Sequence, residues 1–472
     1  MNKIFLYFLI SILLLFISSP GCKSEASGYS IRVTLKGNAD ADSLSLRILE
    51  ESKPLVIQTV KINSGKAVFS GKLALKPGWY TVTAGKKTKF DFLVSDTLQQ
   101  HFNISADNSN IPATLAFENS PENTAFSDYQ RFLDDCQKQR RTIIVRMRQY
   151  NGYPDSVKTI NNSLVQLNER MVNQDSLLKK NFPGSMLALY IGLIRFPQIP
   201  EPVIPSMVTD MNRYKQDYYQ KFLTDHFLDE IDFSDSRIVT IPRFEWQLRY
   251  FFIQLNEPVP ELTEPKIEMV LEKAGANDDV YRFTVKFLYR MFRESALPAL
   301  LQESIFIGEK FILADPERLK DDSFVANVRE KVAKARLNPI GSVATDLELT
   351  GLSGKIIRLS EVKARRIILY FFNPECEACH SITEKLNLTW QKYKDQGIEV
   401  FAVYIDRKSD VWKQFISSKE LKWIHVWDPT GEEQIEKKYD IYALPMIYLL
   451  DQNKKIIAID VPVEKLEEFL KS

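Results

Sequence analysis

At 472 residues the chain is too long for one ordinary hydrophobic core, so two to four domains are expected. Its 44% hydrophobic and 26% charged residues describe a folded globular protein and exclude a disordered one. Basic residues number 62 against 61 acidic, so no strong field draws the chain to nucleic acid, and only four histidines argue against a multi-histidine centre.

The N-terminus reads MNKIFLYFLISILLLFISSPGC, with one lysine, an apolar run from Ile4 to Ile17 and then small residues. Such a run is short for a membrane span and fits a secretory signal. Its end, Ser19-Pro20-Gly21-Cys22, resembles a bacterial lipoprotein cleavage box. The resemblance implies a signal peptide over 1–21, lipidation of Cys22 and a tether over 22–29. Lys23 follows the cysteine where Asp would mark inner-membrane retention, so an outer-membrane anchor is favoured by analogy. The expected location is the cell envelope, anchored by lipid and facing the periplasm, where disulfides persist.

Residues 30–115 read as β structure. SIRVTLKG alternates Ile31, Val33 and Leu35, SLSLRIL alternates Leu44, Leu46 and Ile48, and turn residues separate further runs. A small antiparallel sandwich is predicted, serving as scaffold or docking module. The period turns helical over 116–335. Phe244, Leu248, Phe251, Phe252 and Leu255 form one apolar face, and Phe283, Phe287, Leu288 and Met291 another, while prolines divide the helices. These stripes are read as core. The lone Cys136 is read as a small buried hydrophobe.

From 336 to 472 apolar strand runs (RRIILYFF, GIEVFAVYID, KWIHVW, LPMIYLLD) alternate with helical stretches at 376–393, DVWKQFIS, EEQIEKKYD and EKLEEFLK. This pattern predicts an α/β sheet with a parallel centre and a closing antiparallel hairpin. The chain as a whole is therefore expected to be multidomain, with a β-sandwich-like domain, a helical domain and a C-terminal α/β domain.

Between the first C-terminal strand and its helix lies FFNPECEACH. As C-x-x-C, Cys376 and Cys379 form a redox dithiol; as C-x-x-C-H, with His380, they form a c-type haem attachment site. Cys376 falls where the helix begins, and the free backbone donors and helix dipole there favour its thiolate. Cys379 lies one turn further on, placed to resolve a mixed disulfide. Glu375 and Glu377 put carboxylates beside the sulfur, and protonated His380 offsets them. For haem, Met446 or His425 would be the second iron ligand. The dithiol reading also accounts for the surrounding strands and helix, whereas haem accounts for five residues.

Residues 341–472 resemble the thioredoxin-like domain of extracytoplasmic, TlpA-like thiol-disulfide oxidoreductases. The likeness rests on GSVATDLELTGLSGKIIRLSEV, IILYFF, Cys376-Glu377-Ala378-Cys379 and YALPMIYLLD. It implies a thioredoxin fold with Pro445 as a cis-proline facing the dithiol and Leu444 exposing its backbone to an extended substrate segment. The three-part chain is similar to lipoproteins of Bacteroidetes-type bacteria. The sequence departs from the family pattern at four places: Glu375 replaces a tryptophan, Tyr370 a buried aspartate, Ile382 a glutamate and Thr345 a proline. The expected activity is disulfide exchange with protein thiols and disulfides, as a reductant served by an envelope electron donor. A redox-active Cys376–Cys379 disulfide carries the electrons, and no cofactor or metal is required. The competing expectation is a binding or assembly lipoprotein with a weakly active thioredoxin-like domain.

Overall fold

The structure is a computed structural model that describes residues 28–37, 41–86, 88–150, 152–255, 260–294, 298–431, 433–441 and 443–471. The signal-peptide and lipidation readings, including Cys22, lie outside these residues. The chain divides into two compact units, one ending at Ile191 and the other beginning at Gly192.

In the first unit, eight strands make two four-stranded sheets. They are β1 (Tyr29–Lys36), β2 (Ser43–Glu50), β3 (Lys53–Lys61), β4 (Lys66–Gly71), β5 (Gly78–Ala84), β6 (Thr88–Val94), β7 (His101–Asp107) and β8 (Ala116–Glu118). One sheet has the order β4-β1-β7-β8 and the other β3-β2-β5-β6. The alternation in β1 buries Tyr29, Ile31, Val33 and Leu35. These join Phe69, Phe102 and Ile104 from their own sheet and Leu44, Leu46, Val82 and Phe92 from the other in one shared core. One pairing departs from the antiparallel expectation: β1 and β7 run parallel, from Ser30↔His101 to Lys36↔Asp107. The chain passes between the two sheets before reaching β7, so this pair is not tied by a hairpin that would force it antiparallel.

Two long helices follow, Pro121–Gln149 and Pro154–Asn181, each with its proline at the first helical position, where no backbone donor is lost. Tyr129 Oη donates to Asp175 across the pair at 2.5 Å. Cys136 is buried, as its sequence context suggested, and Arg170 donates to its sulfur at 3.2 Å.

The second unit begins with helices whose aromatic stripes do form core. Phe244, Leu248, Phe251 and Phe252 of the Pro242–Ile253 helix are buried, as are Phe283, Phe287, Leu288 and Met291 of the Asp278–Arg293 helix. The two helices meet through Phe244 against Phe283 and Phe252 against Phe292, with ring centroids 5.7 and 5.4 Å apart. The Asn277 side chain caps the second helix by accepting from Asp279 N and Val280 N.

A seven-stranded mixed sheet completes this unit. Its strands are β9 (Glu348–Gly351), β10 (Ile356–Arg358), β11 (Arg366–Phe372), β12 (Ile398–Tyr404), β13 (Ile424–Trp427), β14 (Met446–Asp451) and β15 (Ile456–Ile459). The spatial order is β10-β9-β13-β12-β11-β14-β15. Strands β11, β12 and β13 are parallel, and β14 and β15 close the sheet antiparallel. From Ile367 onward β11 is apolar and buried because both its faces are covered. Ile368, Tyr370 and Phe372 pack beneath the Glu377–Tyr393 helix, and Ile367, Leu369 and Phe371 form the opposite core. Gly397, at φ +80°, supplies the left-handed residue that turns the chain from this helix into β12. The helix expected at EEQIEKKYD is only one turn, Ile435–Lys438. Ile435 and Tyr439 anchor that turn in the core, and the residues between them are charged, so nothing apolar pins a second one.

The helical part and the sheet of this unit are joined by a buried ion pair. Arg293 Nη2, at the end of its helix, lies 3.0 Å from Asp440 Oδ2, and their side chains are 12% and 8% exposed. Asp440 stands a few residues before Pro445 in the segment leading into β14.

Candidate dithiol active site

The site grows from the end of β11. Asn373 and Pro374 follow Phe372 and make a tight turn, the position and residue types that favour one. The Asn373 side chain accepts from Glu375 N at 2.9 Å and its carbonyl accepts from Cys376 N at 3.0 Å. Cys376 thereby becomes the N-cap of the Glu377–Tyr393 helix, with φ −88° and ψ 118°. Cys379 N donates back to Cys376 O at 3.0 Å, closing the first turn.

This turn gives the two sulfurs different surroundings. Cys376 is half-buried, whereas Cys379 is fully buried in the core under the helix. The Cys376 thiol donates to the Leu444 carbonyl at 3.5 Å. The Leu444–Pro445 peptide is cis. The structure thus brings together Cys376, Cys379 and Leu444, with Pro445 adjacent. Leu444 and Pro445 both remain partly accessible. Burial, followed by the neighbouring Cys376 sulfur, pushes the Cys379 thiol up to about 12, with the Asn373 backbone acting in the other direction.

Tyr370 lies below the dithiol. Its hydroxyl is 2.8 Å from Thr383 Oγ1 and also donates to Cys379 O at 3.5 Å. Burial raises the phenol well above its ordinary value, so this residue is neutral where the family pattern has an acid. The three flanking residues singled out from the sequence, Glu375, Glu377 and His380, are all exposed. Glu375 is held by Lys408, whose Nζ lies 2.8 Å from both carboxylate oxygens. His380 is turned towards the chain: its Nε2–H donates to Pro374 O at 2.7 Å, and its ring meets Phe415 edge-on at 5.1 Å.

The haem reading finds little support in this geometry. A haem bonded to both sulfurs would have to reach Cys379, which this fold buries fully in its core. Met446 packs in the core on the opposite face of the sheet from Cys379. His425 is buried, paired in register with Ala402 and beside the Trp423 ring. Among the described residues no group of three His, Cys, Asp or Glu is placed to hold a metal ion, and no helix is long and apolar enough to cross a membrane.

Burial pulls His425 down from 6.5 to about 4. A histidine whose folded value lies below its unfolded one contributes stability that is present above pH 6.5 and lost as the pH falls towards 4, because the unfolded chain binds the proton first. The expected loss over that window is roughly 3 kcal/mol. Urea denaturation of wild type and His425→Leu at pH 7, 5.5 and 4 checks this: the variant should show a flatter decline by that amount.

Sequence reasoning missed three contributors. Asn373 carried a recognisable signal in its Asn-Pro dipeptide. Thr383 and Lys408 carried none, since each acts through a residue distant in sequence.

Residues 340–459 match the AhpC/TSA family. Over 135 residues the chain is 33% identical to the thiol-disulfide oxidoreductase ResA of Bacillus thuringiensis subsp. konkukian, a match covering 28% of this chain and 77% of that protein. The same-named protein of Geobacillus kaustophilus is 31% identical over 146 residues, covering 30% of this chain and 80% of its own length. Among solved structures, a domain of a possible thiol-disulfide isomerase from Cytophaga hutchinsonii is 38% identical, covering 28% of this chain and 91% of that one, with a TM-score of 0.27.

Proposed function

The chain belongs, through its C-terminal region, to the thiol-disulfide oxidoreductase ResA family, and from that premise we propose that Cys376 and Cys379 are its redox-active pair, working as a reductant of protein disulfides outside the cytoplasm. The observation that carries this reading is the asymmetry of the two sulfurs. Cys376 sits at a helix N-terminus beside the Leu444 carbonyl and is partly accessible, while Cys379 is buried one turn below it.

In the proposed cycle the Cys376 thiolate attacks a client disulfide. One client sulfur leaves as thiolate, and the other is held in a mixed disulfide with Cys376. Cys379 then attacks Cys376, releasing the second client thiolate and leaving a Cys376–Cys379 disulfide. Two electrons pass to the client, whose two thiolates take up protons. The raised Cys379 thiol fits this order, because part of its elevation comes from the Cys376 sulfur. Once that sulfur is tied up in the mixed disulfide, the contribution disappears and Cys379 ionises more readily. An envelope dithiol reductant must then restore the pair. Leu444 and Pro445 are assigned to client binding, where an extended segment would pair with the backbone.

Insulin-disulfide reduction by the soluble chain tests the activity. Wild type should catalyse it in the presence of dithiothreitol, and Cys376→Ser should fall to the uncatalysed rate. An inactive wild type would favour a binding or assembly role for the domain. The three-domain division, with residues 30–115 and 116–335 preceding the catalytic domain, belongs to the same proposal, as does anchoring through Cys22. Mass spectrometry of the mature membrane fraction should find acylated Cys22 as the first residue; an intact Met1 terminus would remove the anchor.

A further inference from the structure

Glu375 immediately precedes Cys376 in the chain and pairs with Lys408, and its backbone N–H is held by the same Asn373 turn that fixes the cysteine. A carboxylate there opposes formation of a thiolate on the next residue. Lys408 approaches from the loop after β12, which the parallel β11–β12 register brings alongside, Phe372 opposite Tyr404. The ammonium contacts both carboxylate oxygens at 2.8 Å. The loop is itself anchored, since Tyr404 Oη donates to Lys408 O at 3.4 Å and Ile405 N donates to Phe372 O at 3.1 Å.

As a stabilising contact this pair counts for little, because its side chains are 55% and 51% exposed and water screens them. Its effect on the neighbouring sulfur is a separate matter. We propose that Lys408 is a positioning residue for the dithiol: by holding the Glu375 carboxylate in an ion pair, it shields the Cys376 thiolate from the negative charge next to it. The proposal rests on Cys376 being the attacking sulfur. Glu375 also holds the Lys408 ammonium above its ordinary range, with Asp406 adding to it more weakly, so the lysine stays charged throughout neutral pH. Glu377 and His380 on the helix and Asp406 beside Lys408 are the other titratable groups of these segments, and the test leaves them unchanged.

The test is made on the full reduced chain at low ionic strength and neutral pH, with Cys136 common to every sample. Two quantities are read: the thiolate absorbance in the ultraviolet and the rate at which iodoacetamide alkylates Cys376, followed by mass spectrometry. At water-like screening, freeing one unit charge beside the sulfur should lower the thiolate population about threefold. Because a more basic thiolate is intrinsically more nucleophilic, alkylation of Lys408→Gln should slow only about twofold. Glu375→Gln alone should shift both readings the other way. The double variant E375Q/K408Q should return close to wild type, and Lys408→Arg should keep the wild-type values. In about 1 M salt the differences should collapse.

A Lys408→Gln protein indistinguishable from wild type would overturn the proposal. So would a slow variant that Glu375→Gln fails to rescue, since Lys408 would then act on the sulfur directly. Both readings are obtained without any client, so a chain inactive towards insulin would count against the proposed activity while leaving this inference open to its own test.

Discussion

Replacing Cys379 with serine should convert the protein from a catalyst into a trap. Cys376 would still attack a client disulfide, but no second thiol would release the product, so the mixed disulfide should accumulate. Catalysed insulin reduction should disappear in Cys379→Ser as it does in Cys376→Ser, yet the two variants should differ in what they retain. Non-reducing electrophoresis from the native envelope should show Cys379→Ser in high-mass adducts that collapse on reduction, and few or none for Cys376→Ser. The expectation follows from accessibility: Cys376 is half-buried beside Leu444, while Cys379 is buried on the core side of the helix's first turn. Equal trapping by both variants would reject the assigned order of attack.

The second large effect is expected at Arg293. Its guanidinium sits 3.0 and 3.3 Å from the two Asp440 oxygens, in a setting where both side chains are nearly closed off from water. Arg293→Ala would leave the Asp440 carboxylate buried beside an empty space, and breaking such a pair on one side costs about 3–5 kcal/mol. The double change Arg293→Met with Asp440→Leu removes both charges and should recover most of the loss. Urea midpoints of the three proteins measure this. A single variant as stable as wild type would show that water reaches Asp440 more freely than its burial implies.

Much of the catalytic domain was legible in the sequence because its evidence is local. The run IILYFF is apolar throughout and IEVFAVY is apolar at all but Glu399, as strands covered on both faces tend to be, and the cysteines stand where strand gives way to helix. Alternation in β1 likewise foretold which residues face the sandwich core. Alternation reports burial and says nothing about the neighbouring strand, so the parallel β1–β7 pairing had no signature. Lys408 was invisible for a similar reason. It meets Glu375 only because β11 and β12 lie side by side, and nothing in its own segment distinguishes it from other surface lysines. The Arg293–Asp440 pair, whose members stand 147 positions apart, was equally beyond reach.

The burial of Cys379 also bears on how traffic through the site is organised. If Cys376 is the sole point of entry, the client to be reduced and the reductant that recharges the pair must meet the same sulfur beside the same Leu444 carbonyl. They cannot be docked there together, so the cycle becomes a strict alternation of visitors, and ping-pong kinetics is its signature. Each partner then acts on a different redox form, the client on the dithiol and the reductant on the disulfide, so a shortage of either one leaves the protein waiting in the form the other has produced.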